Sequence, residues 1–354
     1  MKCTINDIAN VISESIPNPA ESGYDIFVGL EHYDSGEVKI TRYGSTDSLV
    51  TAVKVFKKGD ILLARRNVYL KRAGLVDFDG VTSGDSIVLR VKPDLSKLGT
   101  RSSSVQKYLP FVLNTEEFWN YAEKYSDGTM SKRLSPKTLL QYEFEIPDDV
   151  DNKNDLLWSA FETKESYRTM IKAIDEMVKS QFIEMFGDAR RVPIGSIFST
   201  TSGGTPSRAK NDFFDGGTIP WLTSSEVGQG RIRKTESFIT ENGLKNSSAK
   251  WVPKNSVVVA MYGATVGKVG LLEIPCTTNQ AVCCILPNEA VNPMYLFYAV
   301  KNKEEWMVSQ AAGAAQPNIS QSVIRKMEVP MPSLDEQELF DSIAGQADKS
   351  KYLN

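Results

Sequence analysis

One stretch constrains this chain more than any other: from Asp148 to Phe186 it contains neither proline nor glycine. Apolar residues stand at Tyr167, Met170, Ile171, Ile174, Met177, Val178, Phe182, Met185 and Phe186. Steps of three and four lay them in one stripe along a helix. The other face carries Glu165, Arg168, Lys172, Asp175, Glu176 and Lys179. Two of its opposite-charge pairs, Lys172–Glu176 and Asp175–Lys179, are four apart and support the helix weakly. Asp148 and Asp149 suit the positive end of the helix, and Gly187 can close it in a left-handed conformation. Over residues 151–186 such a helix is about 54 Å long at ~1.5 Å per residue. It is either a long core helix or a spacer whose stripe awaits a partner helix.

The flanks favour the spacer. Strand-like runs occur at 24–30, 38–43, 61–64, 75–78 and 86–91, separated by turn signals such as Asp34-Ser35-Gly36 and Lys58-Gly59-Asp60. Residues 108–125 read as one helix and 139–146 as a last strand before Pro147. Beyond Gly187 the pattern restarts. Gly59-Asp60-Ile61-Leu62-Leu63-Ala64 matches Asn255-Ser256-Val257-Val258-Val259-Ala260 at an offset of 196 (255 − 59), and Gly74-Leu75-Val76 matches Gly270-Leu271-Leu272. Gly128, Ser135 and Pro147 match Gly313, Ser320 and Pro332 at 185 (313 − 128), and helix 108–125 corresponds to 294–310. Two copies of one domain joined by a helix are the simplest reading, and 354 residues suffice for two cores.

A search for chemistry finds little. The single histidine, His32, sits near a turn and reads as structural. Gly263-Ala264-Thr265-Val266-Gly267-Lys268 is one residue short of a phosphate loop and lacks the hydroxyl after its lysine. There is no GxGxxG fingerprint and no Asp/Asn-Pro-Pro-aromatic tetrad of the kind that holds a flipped base for methylation. The four cysteines form no CxxC pair, so neither a zinc site nor a disulfide framework is expected, and a reducing cytoplasm is. No run of about 18 apolar residues spans a membrane. No catalytic group, cofactor or metal is therefore expected on this chain.

Binding features remain. The net charge of −3 requires any nucleic-acid contact to come from local patches. The first copy offers Arg65, Arg66, Asn67, Lys71 and Arg72, whose forks and amide suit phosphates, guanine and adenine edges. The second offers Ser202, Gly203, Gly204, Thr205 and Ser207, where paired glycines would expose backbone N–H groups to a phosphate. Arg231 and Arg233 form a further basic cluster, and Gln316 and Asn318 put two amides in a small-residue loop. The blander alternatives are solvated basic faces and plain Gly-Pro loops.

Jointly these segments resemble the specificity subunit of a Type I restriction–modification system. The resemblance rests on Asn18 to His32 and Phe78 to Asp85 in copy one. In copy two it rests on Ser202-Gly203-Gly204-Thr205-Pro206-Ser207, Ile219-Pro220-Trp221-Leu222 and Met261-Tyr262-Gly263-Ala264-Thr265-Val266-Gly267-Lys268. Ser180 to Gly187 and Pro332 to Gln337 complete it, while copy one lacks the Ser-Gly-Gly-Thr-Pro element. The resemblance implies an α+β protein. Two tandem mixed α/β target-recognition domains, 1–147 and 189–332, would be joined by a spacer helix, 148–188, with a second helix, 333–354, packing antiparallel to it. Each domain would read half of a split site in double-stranded DNA, with Tyr262 and Lys268 added to the contacts above. Two methyltransferase subunits and a motor-nuclease subunit would be partners. Tyr167, Ile171, Ile174, Val178, Phe182 and Met185 would pack the helices.

One departure stands out. The segment 148–188 has 41 residues (188 − 148 + 1), whereas 333–354 has 22 (354 − 333 + 1). A shorter second helix would leave part of the stripe uncovered, with self-association the expected result. Two other readings stay open: a fragment of a fused methylase–nuclease, and a shortened variant that binds partners without supporting modification.

Overall fold

The computed structural model describes residues 1–354 apart from 20–21, 129–130, 313–316 and 353–354, with 351–352 described by backbone alone. The chain divides into two compact units, Met1–Ser166 and Tyr167–Asn354. The division falls inside one continuous helix, Val150–Phe186. Both units are mixed α/β, as the repeat requires.

In the first unit a four-stranded antiparallel sheet runs Ala9–Ile12, Ser86–Val91, Ile61–Ala64, Ala73–Leu75. The strand Ile61–Ala64 is apolar throughout because both faces are covered. Ile61 and Leu63 pack with residues of the helices Ser102–Val112 and Glu116–Lys124. Leu62 and Ala64 pack with Val28 and Phe56 of a second sheet. Burying each of the larger side chains contributes ~1.5–3 kcal/mol. The second sheet orders Ser15–Ile16, Val53–Phe56, Gly80–Thr82, Ile26–Val28 and Gly44–Ser45, with one parallel pair, Ile26–Val28 on Gly80–Thr82. Lys2–Thr4 pairs with Glu143–Glu145 and ties the chain start to the lead-in of the long helix.

The second unit repeats most of these strands, adding Arg231–Ile232 to the first sheet and having no described counterpart of Ser15–Ile16 in the second. Val257–Ala260, Val269–Leu272 and Cys276–Thr278 begin 196 residues after Ile61, Ala73 and Gly80 (257 − 61, 269 − 73, 276 − 80). The same two-sided burial recurs: Val257 and Val259 face the helical core, Val258 and Ala260 the second sheet. Ile219–Leu222 lies parallel to Cys276–Thr278, as Ile26–Val28 does to Gly80–Thr82. The ribbon Arg191–Pro193 with Glu328–Pro330 matches the ribbon of the first unit.

Several local expectations need correction. The expected helix 108–125 is two helices, Ser102–Val112 and Glu116–Lys124. Thr115 restarts it, its hydroxyl accepting the Phe118 N–H at 3.2 Å. The second unit breaks at the same place, into Pro293–Lys301 and Glu304–Ser309. The expected strand 139–146 opens as a helix, Pro136–Leu140, capped by Ser135 onto the Thr138 N–H, leaving Glu143–Glu145 as strand. Residues 38–43 form no strand but bridge in parallel to Leu75, and the strand expected at 75–78 lies at Ala73–Leu75. His32 is structural: its Nδ1 accepts the Gly29 N–H at 2.9 Å.

The C-terminal helix Leu334–Tyr352 packs on the end of the long helix. Phe340 is fully buried, its ring 5.2 Å from Phe182, 5.8 Å from Phe186 and 5.4 Å from Tyr298. Further along, Asp348 shares a cleft with Ile171 and Asp175. Rising numbers on one helix meet falling numbers on the other, so the two are antiparallel. Of the expected stripe, Val178 and Phe182 are buried, while Ile174 and Met185 are partly covered by the same core. Tyr167 and Ile171 remain exposed.

Candidate nucleic-acid interface

In the first unit the chain leaves Ile61–Ala64 directly into Arg65, Arg66 and Asn67. A second loop docks there: Leu134 donates its N–H to the Arg65 carbonyl at 2.9 Å, and Asn67 donates to the Lys132 carbonyl at 2.9 Å. Arg66 and Arg133 thereby become an antiparallel bridged pair. Asn67 takes a left-handed backbone, φ 55°, which asparagine tolerates well. Both guanidiniums lean on Asp85, at 3.6 Å each. Arg66 Nε donates to Ser131 Oγ at 3.0 Å. Lys54 reaches the same corner, donating to the Gly84 and Ser86 carbonyls. Burial first, then repulsion from Arg65, lowers the Lys54 ammonium, with Asp85 opposing. Arg65 Nε and Ser83 Oγ are buried with no hydrogen-bond partner among the described residues. Arg133 was not singled out from sequence.

The other two cations of the run serve the fold. Lys71 pairs with Glu116 at 2.7 Å. Arg72 donates to the carbonyls of Leu30 and Arg66, and burial lowers its pKa.

The second unit builds the same corner from other side chains. Gly263 donates to the Pro317 carbonyl and Ile319 to the Met261 carbonyl, reproducing the docking of the first unit. Tyr262 and Asn318 are the bridged pair here, both exposed. Lys268 pairs with Glu304 at 3.0 Å, a tether to the following helix like Lys71–Glu116. Gln316, the neighbouring candidate, lies outside the described residues.

The glycine-rich loop corrects an expectation. Gly204 donates its N–H to the Thr278 carbonyl at 3.0 Å, so that group is engaged within the fold. A Cβ at Gly203 would stand 1.8 Å from the same carbonyl oxygen, and one at Gly204 2.7 Å from Ser248 Cβ. Both glycines are there for close packing. Thr205 donates to Gln280, and Ser207 is exposed; the Ser202 side chain is half-buried. Arg231 and Arg233 both grip Glu273, and Arg231 also meets Asp348. Burial would raise the Glu273 carboxyl, but hydrogen bonds from the two arginines outweigh it and hold it below its ordinary value.

A twice-built α/β unit with a long helix and an antiparallel second helix is the fold of a known class. The type I restriction–modification S subunit from M. genitalium matches 99% of this chain and 92% of its own, at 16% identity and a TM-score of 0.50. Residues 188–349 match the family model of the Type I restriction modification DNA specificity domain. The specificity subunit of the type I enzyme EcoR124I/EcoR124II of Escherichia coli is 26% identical over 167 residues, 46% of this chain and 41% of the relative. The MjaIX specificity subunit of Methanocaldococcus jannaschii is 30% identical over 160 residues, 44% and 37% of the two chains. The alignments thus span about two fifths of these curated relatives. Residues 188–349 are thus similar to the Type I restriction modification DNA specificity domain, and the chain as a whole shares the fold of the M. genitalium S subunit.

Proposed function

We propose that this chain is the non-catalytic DNA-recognition subunit of a Type I restriction–modification complex. It binds a bipartite site in double-stranded DNA, one half with each unit, in the cytoplasm. It docks methyltransferase subunits, two by the internal repeat, and a motor-nuclease subunit acts with them. S-adenosylmethionine and ATP chemistry belongs to those partners.

The observation that carries this reading is the repeated corner. One backbone arrangement presents Arg66 and Arg133 in one unit and Tyr262 and Asn318 in the other. Two readers built alike but lined differently suit two different half-sites. The relatives named above as specificity subunits support the same reading. The long helix Val150–Phe186 is the spacer between the readers, and its exposed Tyr167 and Ile171 extend the stripe offered to a partner.

The test is selection of bound duplexes from a random library by the full chain. The expected outcome is two short read blocks separated by an unread spacer of fixed length. Affinity should fall with salt, each neutralised phosphate adding about −0.9 to the slope of log K against log salt. A single contiguous block, or no enrichment, would refute the proposal.

A further inference from the structure

Resting on that reading, we infer that Arg66 and Arg133, braced by Asp85, read guanine in one half-site, and that Tyr262 and Asn318 determine the base at the corresponding place in the other.

The argument begins with what the two corners share. Both dock the second loop through matched backbone hydrogen bonds, so they hold the bridged side chains in one frame. A phosphate contact carries no sequence information, so a phosphate-binding position has reason to stay cationic in both units. Lys54 meets that condition: 196 residues on stands Lys250 (250 − 54). The bridged pair does not. Position 66 corresponds to Tyr262 (262 − 66 = 196) and position 133 to Asn318 (318 − 133 = 185). Asp85 corresponds to Ala281 (281 − 85 = 196), so the brace is absent where the arginines are absent. Three changes at one place, in a preserved frame, mark a position whose task differs between units.

The chemistry of the pair fits a base edge. The ion pairs to Asp85 are 3.6 Å long, which orients the two guanidiniums while leaving N–H groups available. Their side chains are 45% and 51% exposed. Asp85 is the carboxylate that ion-pairs with both arginines, Lys54 and Arg65 stand close by, and Asp127 flanks Arg133 through paired backbone hydrogen bonds. An arginine fork meets the O6 and N7 acceptors of guanine in the major groove, and a carboxylate at its back fixes the approach. Asn318 offers the amide that pairs with adenine N6 and N7.

The experiment uses the full chain and the sequence that the wild type selects. Each base pair of each half-site is replaced in turn, and binding is measured for the wild type and for Arg66→Lys, Arg133→Lys, Arg133→Ala and Asn318→Ala. The wild type should prefer guanine at one or more positions of one half-site by about 5- to 100-fold. Each lysine variant keeps the charge but loses the fork. It should reduce that preference to under twofold at one base pair, with the salt slope and the other half-site unchanged. Asn318→Ala should relax only the other half-site, which also serves as the folding control. Half-sites without guanine would overturn the inference. So would lysine variants that keep the base preference while Arg133→Ala lowers the salt slope by about 0.9, the mark of a phosphate contact. If the wild type itself selects no sequence, the recognition function fails and this inference with it; the wild-type arm separates that outcome from a wrong choice of residues.

Discussion

Replacing Phe340 with alanine should lower the stability of the second unit while leaving the first untouched. Phe340 is fully buried, and its ring meets Phe182, Phe186, Tyr295 and Tyr298 at centroid distances of 5.2 to 6.4 Å. Phe→Ala in such a site costs about 3–5 kcal/mol through lost burial and the cavity left behind. Edge-to-face partners add to this, by about 0.5–1.5 kcal/mol per pair. At about 2–4 °C per kcal/mol for a unit of this size, the melting temperature should fall by roughly 10 °C or more. Differential scanning calorimetry of the full chain reads this directly, because the two units have separate cores. A shift under 2 °C would mean that the C-terminal helix is not part of the core. An equal fall in every transition would mean that the units do not unfold separately.

Gly203→Ala should destabilise the second unit by about 1–3 kcal/mol or more, because the new methyl meets the Thr278 carbonyl; an unchanged melt would show the loop to be slack. Deleting residues 166–169, all exposed, shortens the long helix by about 6 Å and should shorten the unread spacer by one or two base pairs of ~3.4 Å. An active variant with an unchanged spacer would remove the helix from this role. This cut is preferable to residues 172–175, because Ile174 packs on the core and Asp175 pairs with Lys301. Burial pushes the Cys3 thiol up to about 11 and those of Cys276 and Cys284 up to about 12, so native chain at pH 8 should react with a charged disulfide reagent only after unfolding. Fast labelling of native chain would contradict their burial.

The repeat was legible because it is written in the buried strands. Ile61–Ala64 and Val257–Ala260 are apolar on both faces, and nothing polar interrupts the match. The long helix was legible from its stripe and from the absence of proline and glycine. The break after Val112 was not, since Thr115 reads as a mid-helix residue until its hydroxyl is seen capping Phe118. Side-chain partners were the least legible. Lys71 finds Glu116 and Arg231 finds Glu273 across more than forty residues, distances over which sequence spacing says nothing. Arg133 was overlooked for a milder reason. The offset of 185 that aligns Ser135 with Ser320 also aligns Arg133 with Asn318, so the signal was present.

The most direct measurement is the map of methylated DNA positions in cells carrying this gene and in otherwise identical cells from which it has been deleted. The expected result is one bipartite motif, two specified blocks around an unspecified gap, methylated in the first cells and unmethylated in the second. Identical methylation maps in both would contradict the assignment of sequence recognition to this chain.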